Sequence, residues 1–280
     1  MPLATRLNDG RYQINKKESF CELLEGKLPD KDKSFTALLE EFDRKIRLPY
    51  PNITREALSN CHGDWYEWLI AIAAWNYRIK TPKSYLALLL PNVSQYNVAR
   101  LYKDELYNLI IDLRQKVIDA TDVQLITSNP DFALFDLKNI DTEELSLETI
   151  EKITPDAITK IEQAYHYLTG KCDFEDIIGY ASVKVSLRPD RRLQIPHEGS
   201  LMKAIYTHLQ TRRWIIQPRG LNYYAISASV NEADKRALKT VATHSITTVF
   251  NIPQAAVDEV FEINSLDQCT NVFKQILIND

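Results

Sequence analysis

From Ala181 to Arg188 the chain alternates. Ala181, Val183, Val185 and Leu187 fall on one side, and Ser182, Lys184, Ser186 and Arg188 on the other. A period of two is the signature of a half-buried β-strand, and a helix cannot keep those two sets apart. The chain then turns through Pro189 and Pro196 into a segment with Leu201, Ala204, Ile205, His208 and Leu209 at helical spacing. This predicts a helix over 198–212 that starts beside the strand's end. A lysine on the strand's polar face, arginines just beyond it and Glu198 in the next helix's first turn must therefore form one compact unit. The rest of the fold has to accommodate it.

The remaining chain reads as further strands and helices. Residues 1–33 are polar, with one short helical pattern around Phe20, Leu23 and Leu24. Ser34 predicts a capped helix with Phe35, Leu38, Leu39, Phe42 and Ile46 on one face, stopped by Pro49 and Pro51. The run Trp65–Tyr77 is apolar nearly all round and requires a buried helix. Ser84–Leu90 reads as a strand, followed by an amphipathic helix over 95–117 and two extended pieces, Val123–Thr127 and Asp131–Leu137. A charged surface excursion over 138–155 leads to a helix from Pro155 to Leu168. Beyond the central unit the sequence predicts a strand at Asn222–Ser229 and one or two helices through 232–250. Pro253 is expected to open a further helix, and Ser265 to cap the last one. No repeat, low-complexity tract or linker interrupts this order. The expected fold class is α/β, a mixed central β-sheet flanked by helices. Residues 1–280 are expected to form a single unit, with 1–59 as an N-terminal helical extension packed on the core.

Composition narrows the function. No apolar run approaches the roughly 20 residues of a membrane span, and the first 17 residues lack the apolar core of a signal peptide. A cytoplasmic protein without a membrane partner is expected. Cys21, Cys61, Cys172 and Cys269 are far apart with no CxxC spacing, so they read as reduced thiols rather than zinc ligands. The net charge of −4 argues against bulk nucleic-acid affinity. Between Lys184 and Arg213, however, seven bases face two acids. Such a run usually marks a solvated face, but this one is interleaved with the strand-to-helix junction.

Three carboxylates belong with Lys184. Asp131 follows Pro130, which holds the chain extended at a strand entrance and offers the carboxylate at its edge. Alone, it reads as a turn residue. Glu67 is almost the only ionisable group in the apolar helix, and burying it unpaired costs several kcal/mol, so it must face a cation, a metal or water. Glu198 shares the inward stripe of its helix with Leu201 and Ile205, which a simple helix-dipole role does not require. Two or three carboxylates hold Mg²⁺ through oxygen, and a neighbouring lysine stabilises or activates an attacking water and the charge developing on a phosphate. This is the PD…(D/E)xK pattern of metal-dependent nucleases, with Ser182 where the second acid should stand and Glu198 placed to fill the vacancy from the adjacent helix.

Arg188-Pro-Asp-Arg-Arg192 is expected to continue the lysine strand. Arginine donates two bonds to guanine O6 and N7, and aspartate accepts from cytosine N4, so Arg188, Asp190 and Arg191 suit neighbouring G and C. A surface ion-pair cluster is the plainer reading, and closeness to Lys184 weighs against it. The segments CHGDWYEWLI, LITSNPDF, SVKVSLRPDRRLQ, HEGSLMKAIYTHLQTR and LKTVATHSIT, from about residue 60 onward, closely resemble the type II restriction endonucleases of the CCGG-recognising group, in particular the tetrameric ones reading RCCGGY.

That resemblance implies a PD-(D/E)xK core acting on double-stranded DNA with Mg²⁺. It implies a metal site of Asp131 and Glu198, with Lys184, Glu67 and Ser182 as further active-site residues. It implies inner CCGG contacts from Arg188, Asp190 and Arg191, and outer-pair contacts from Asn60 and Arg212. Trp214 would lie between two dimers of a homotetramer that engages two sites. Cleavage after the outer purine with four-base 5′ overhangs, a bacterial cytoplasm and a cognate methyltransferase follow from the same resemblance. Competing readings are a DNA-binding protein that has lost catalysis, the same chemistry at NCCGGN with another outer pair, and a hydrolase of small phosphoesters, which leaves Arg188, Asp190 and Arg191 without a task.

Overall fold

The computed structural model describes residues 2–80, 85–93, 95–121, 125, 129–141, 145, 148–246 and 253–278. A short hairpin, β1 (Ala4–Arg6) with β2 (Tyr12–Ile14), precedes α1 (Lys16–Leu23) and α2 (Phe35–Arg47). Next come α3 (Arg55–Lys80), β3 (Tyr85–Leu89), α4 (Asp104–Thr121), β4 (Phe132–Asp136) and α5 (Pro155–Gln163). The chain continues through β5 (Ile177–Lys184), α6 (Pro189–Arg212), β6 (Asn222–Ser227), α7 (Glu232–Leu238), β7 (Glu259–Glu262) and α8 (Leu266–Ile278). The main sheet runs β3-β4-β5-β6-β7; its first three strands are antiparallel and its last three parallel. It is a mixed sheet flanked by helices, as the sequence predicts.

The Ala181 strand is the middle of that sheet, and this changes its character. β5 begins at Ile177, and its residues through Val183 are buried on both faces, so the alternation reflects chemistry at the strand's end rather than a solvent face. The strand also stops at Lys184. Arg188 is the N-cap of α6 with extended backbone (φ −65°, ψ 161°), and Pro189 takes the first helical position, where its missing N–H costs nothing. The arginine cluster is thus the opening turn of a helix and not a strand extension. Pro196 lies inside α6, and Glu198 in its third turn. An interior proline costs about 3 kcal/mol of helix stability, which here is offset by burying Pro196 with Ile195, Met202, Ile205 and Leu209.

The buried helix is longer than its apolar run. α3 starts at Arg55, ten residues before Trp65, with the Thr54 hydroxyl accepting from the Ala57 N–H, so Asn60 and Asp64 are helical. Its rings meet those of the N-terminal helices edge-on: Phe20 against Trp68 at 5.3 Å, Phe42 against Trp65 at 5.5 Å and Phe35 against Tyr66 at 6.1 Å. Such pairs add roughly 0.5–1.5 kcal/mol each beyond area burial. Ser34 caps α2 and Ser265 accepts from the Gln268 N–H at the start of α8, both as predicted.

Other expectations change. The helix expected at Pro253 is instead the edge strand β7, parallel to β6; Val257, Val260, Phe261 and Ile263 mimic a helical spacing. Within 138–155, Ile140, Leu145, Ile150 and Ile153 are buried, and the Asn76 amide bonds both the N–H and the C=O of Ile150, so that segment is anchored to α3. The expected strand Val123–Thr127 lies outside the described residues except for Leu125. All four cysteines are buried free thiols, and among the described residues no helix is long and apolar enough to cross a membrane.

Candidate active site and nucleic-acid interface

β4 pairs with β5 as far as Phe132 opposite Ala181, and Asp131 is the next residue out. Its carboxylate turns onto the end of β5. Oδ2 accepts from the Lys184 ammonium at 2.6 Å, from the Val183 N–H at 2.6 Å and from the Ser182 hydroxyl at 3.2 Å. Among the described residues Oδ1 accepts no hydrogen bond. Ser182, in the position where an acid is missing, therefore serves as a neutral donor to the remaining acid.

Glu198 is 3% exposed and fully engaged: Oε1 accepts from the Gln194 amide at 2.7 Å, and Oε2 from the Tyr223 hydroxyl at 2.9 Å. Tyr223 stands beside Ser182, so the Tyr223–Glu198 and Ser182–Asp131 hydrogen bonds lie next to each other. Burial, together with the nearby Glu198 charge, holds the Tyr223 phenol well above its usual range, which keeps it a donor. Tyr223 and Gln194 were invisible to sequence reasoning. Gln194 becomes apparent only once the helix is known to run through Pro196, which puts it four residues before Glu198 on one face.

Glu67 is buried on α3 and receives no hydrogen bond from the described residues. Burial and then the Asp131 charge push its carboxyl well above the ordinary range, with Lys184 opposing. This favours the neutral form of Glu67 while Asp131 is ionised, and a cation placed between them would favour its ionisation.

Of these groups Glu67 and Lys184 line a cleft of about 730 Å³, together with Asn60, Asp64, Arg188 and Arg191, among others. Arg188 is open to solvent, and its only ion-pair partner among the described residues is Asp190, at 3.9 Å. Arg192 points elsewhere and pairs with Asp234 of α7 at 2.6 Å. Arg212 does not reach the cleft. It closes the same helix 21 residues after Arg191, about 30 Å along the axis at 1.5 Å per residue. Trp214 follows it with left-handed backbone (φ 53°) and 88% exposure, next to Ile216 at 91%.

The contact that seats Glu198 is a glycine. A Cβ on Gly199 would lie 2.1 Å from the Ala256 carbonyl oxygen and 2.9 Å from the Tyr223 ring. Gly199→Ala is expected to destabilise the protein by about 1–3 kcal/mol or more through overpacking, lowering its unfolding temperature and reducing cleavage together. An unchanged melting curve would show that α6 does not need this close approach.

Residues 4–279 match the family model described as Cfr10I/Bse634I restriction endonuclease. This reaches further toward the N-terminus than the segments from about residue 60 suggest. Over 238 residues the chain is 43% identical to the type II restriction enzyme Cfr10I of Citrobacter freundii, covering 84% of this chain and 83% of that protein. Its structure resembles the crystal structure of the type IIF restriction endonuclease Bse634I with cognate DNA, at a TM-score of 0.88 and 30% identity over 98% of this chain and 96% of that one. A second Bse634I structure matches at a TM-score of 0.87 and 31% identity over the same shares.

Proposed function

Because this chain belongs to the Cfr10I/Bse634I family and is a type II restriction endonuclease, we propose that it makes Mg²⁺-dependent double-strand cuts in DNA at R/CCGGY, leaving four-base 5′ overhangs. The observation that carries this is one cleft holding Lys184, bonded to Asp131, and the arginines that open α6. A phosphate at Lys184 leaves the neighbouring base edges within reach of that helix's N-terminal residues. Recognition helices commonly enter the major groove by that end.

The donor set suits magnesium. Among the described residues no three His, Cys, Asp or Glu side chains converge to cage a metal. Mg²⁺ is typically held by one or two carboxylates together with substrate phosphate and water. Asp131, through Oδ1, and Glu198 would hold it, with Glu67 beside them on α3 and ionising once the cation is in place. Bound there, the ion supplies neutralisation of charge developing on the scissile phosphate. Lys184, fixed by Asp131, directs its ammonium at the phosphate and orients the attacking water. Ser182 and Tyr223 keep the two carboxylates in register.

Arg188, Asp190 and Arg191 read the inner CCGG, and Asn60 on α3 contacts the outer pair from across the cleft. Arg212 fits the Trp214 end of α6 better than an outer-base contact in its own protomer. We read the exposed Trp214 and Ile216 as part of the contact between two dimers of a homotetramer, a dimer of dimers being suited to two palindromic sites. The whole chain acts as one endonuclease unit, since α1 and α2 seat their rings on α3. A cognate methyltransferase protects the host's own sites, and both act in the bacterial cytoplasm. Trp214→Ala is expected to halve the mass seen by light scattering and to remove any advantage of two-site over one-site plasmids. Retention of the larger species would place the interface elsewhere.

Duplexes differing only at the outer pair test the specificity. With Mg²⁺, RCCGGY should be cut and YCCGGR left intact, and chelation should stop cutting. Equal cutting of every NCCGGN would reject the outer-pair assignment, and a mobility shift without cutting would reject the catalytic one.

A further inference from the structure

Arg191, Gln194 and Glu198 lie at i, i+3 and i+7 on one face of α6, joined by two hydrogen bonds. Arg191 Nη1 donates to Gln194 Oε1 at 2.6 Å, and Gln194 Nε2 donates to Glu198 Oε1 at 2.7 Å. An amide has one acceptor end and one donor end. The guanidinium fixes the oxygen end, which aims the nitrogen end at the carboxylate. Both oxygens of Glu198 are then occupied, the second by Tyr223. Arg191 is likewise held, since a guanidinium donating to Gln194 has not turned its full fork to a base edge.

We propose that Gln194 is a positioning residue that couples base reading to metal binding, holding Glu198 in a resting arrangement until Arg191 leaves for the DNA. When Arg191 swings onto its base, Gln194 Oε1 loses its donor and the amide is no longer aimed. Glu198 Oε1 is then free to take a cation. A site that fails to draw Arg191 away leaves the carboxylate occupied. The device makes cutting more selective than binding, and it does so within two turns of one helix.

The inference rests on Arg191 as a base contact and Glu198 as a metal ligand. Arg191→Ala and Glu198→Ala test those roles separately, the first by loss of specific binding and the second by loss of cleavage with binding kept. Gln194→Met keeps length and removes both hydrogen bonds at an exposed position. Single-turnover cleavage and metal-free binding are measured on the cognate duplex and on one with a single inner base pair changed, with unfolding curves to confirm the fold. Gln194→Met is expected to leave the binding ratio unchanged and to lower the cleavage ratio by about tenfold, within the usual range of coupling between sites. It should also bind Mg²⁺ more tightly without DNA. Gln194→Glu, which keeps an acceptor for Arg191 but repels Glu198, should lower the cleavage ratio too. Unchanged cleavage ratios in both variants, or binding and cleavage ratios falling together, would overturn the proposal.

Discussion

Lys184→Ala is expected to lower cleavage of cognate DNA by about 10²–10³-fold or more, the usual cost of removing one preorganised electrostatic group from an active site, while specific binding survives. The ammonium is one of three donors on Asp131 Oδ2, alongside the Val183 N–H and the Ser182 hydroxyl. Its loss leaves that carboxylate placed but less compensated. The hydrogen bond and ion pair of Lys184 go to Asp131 and not to the opening turn of α6, so the base-reading surface keeps its shape. Cleavage and mobility-shift titrations on one duplex separate the two effects. Robust cutting by the variant would remove Lys184 from the chemistry, and loss of binding would make its role structural.

Arg188→Ala should leave the fold intact and erase part of the discrimination. The side chain is exposed and its nearest ion-pair contact is 3.9 Å from Asp190, so a stability change within about 0.5 kcal/mol is expected, as for most surface substitutions. A bidentate guanine contact carries roughly 1–3 kcal/mol of discrimination. Binding to duplexes with one inner pair replaced should therefore converge on cognate binding by that amount, with unfolding unchanged. If mismatched and cognate duplexes stay as well separated as in the unaltered protein, Arg188 does not read a base.

The chemistry was more legible in the sequence than the geometry that supports it. Asp131, Ser182 and Lys184 could be read because a strand entrance and a period of two place side chains with little help from the rest of the fold. Glu67 stood out because a carboxylate in an apolar helix needs a reason. The sequence places Glu198 on an inward face, but on a helix that begins there. Pro196 hid the nine helical residues before Glu198, because a proline buried in tertiary packing cannot be told locally from one in a turn. Gln194 and the true placement of Arg188, Asp190 and Arg191 were lost with those residues. Tyr223 gave no signal, since its contact with Glu198 depends on the β5–β6 register and on Gly199. Strand β7 was misread because its apolar spacing fits a helix and only pairing with β6 decides otherwise. For Arg212, sequence distance from the cluster concealed the length of α6, which carries it to the Trp214 end.

Chemistry and base reading are proposed to meet where β5 hands over to α6. Sequencing both ends of the fragments from a plasmid with a single RCCGGY site, cut in the presence of Mg²⁺, tests it most directly. One break per strand is expected, each immediately after the outer purine, leaving a four-base 5′ CCGG overhang. Breaks at other sequences, or at this one with blunt or 3′ ends, would contradict it.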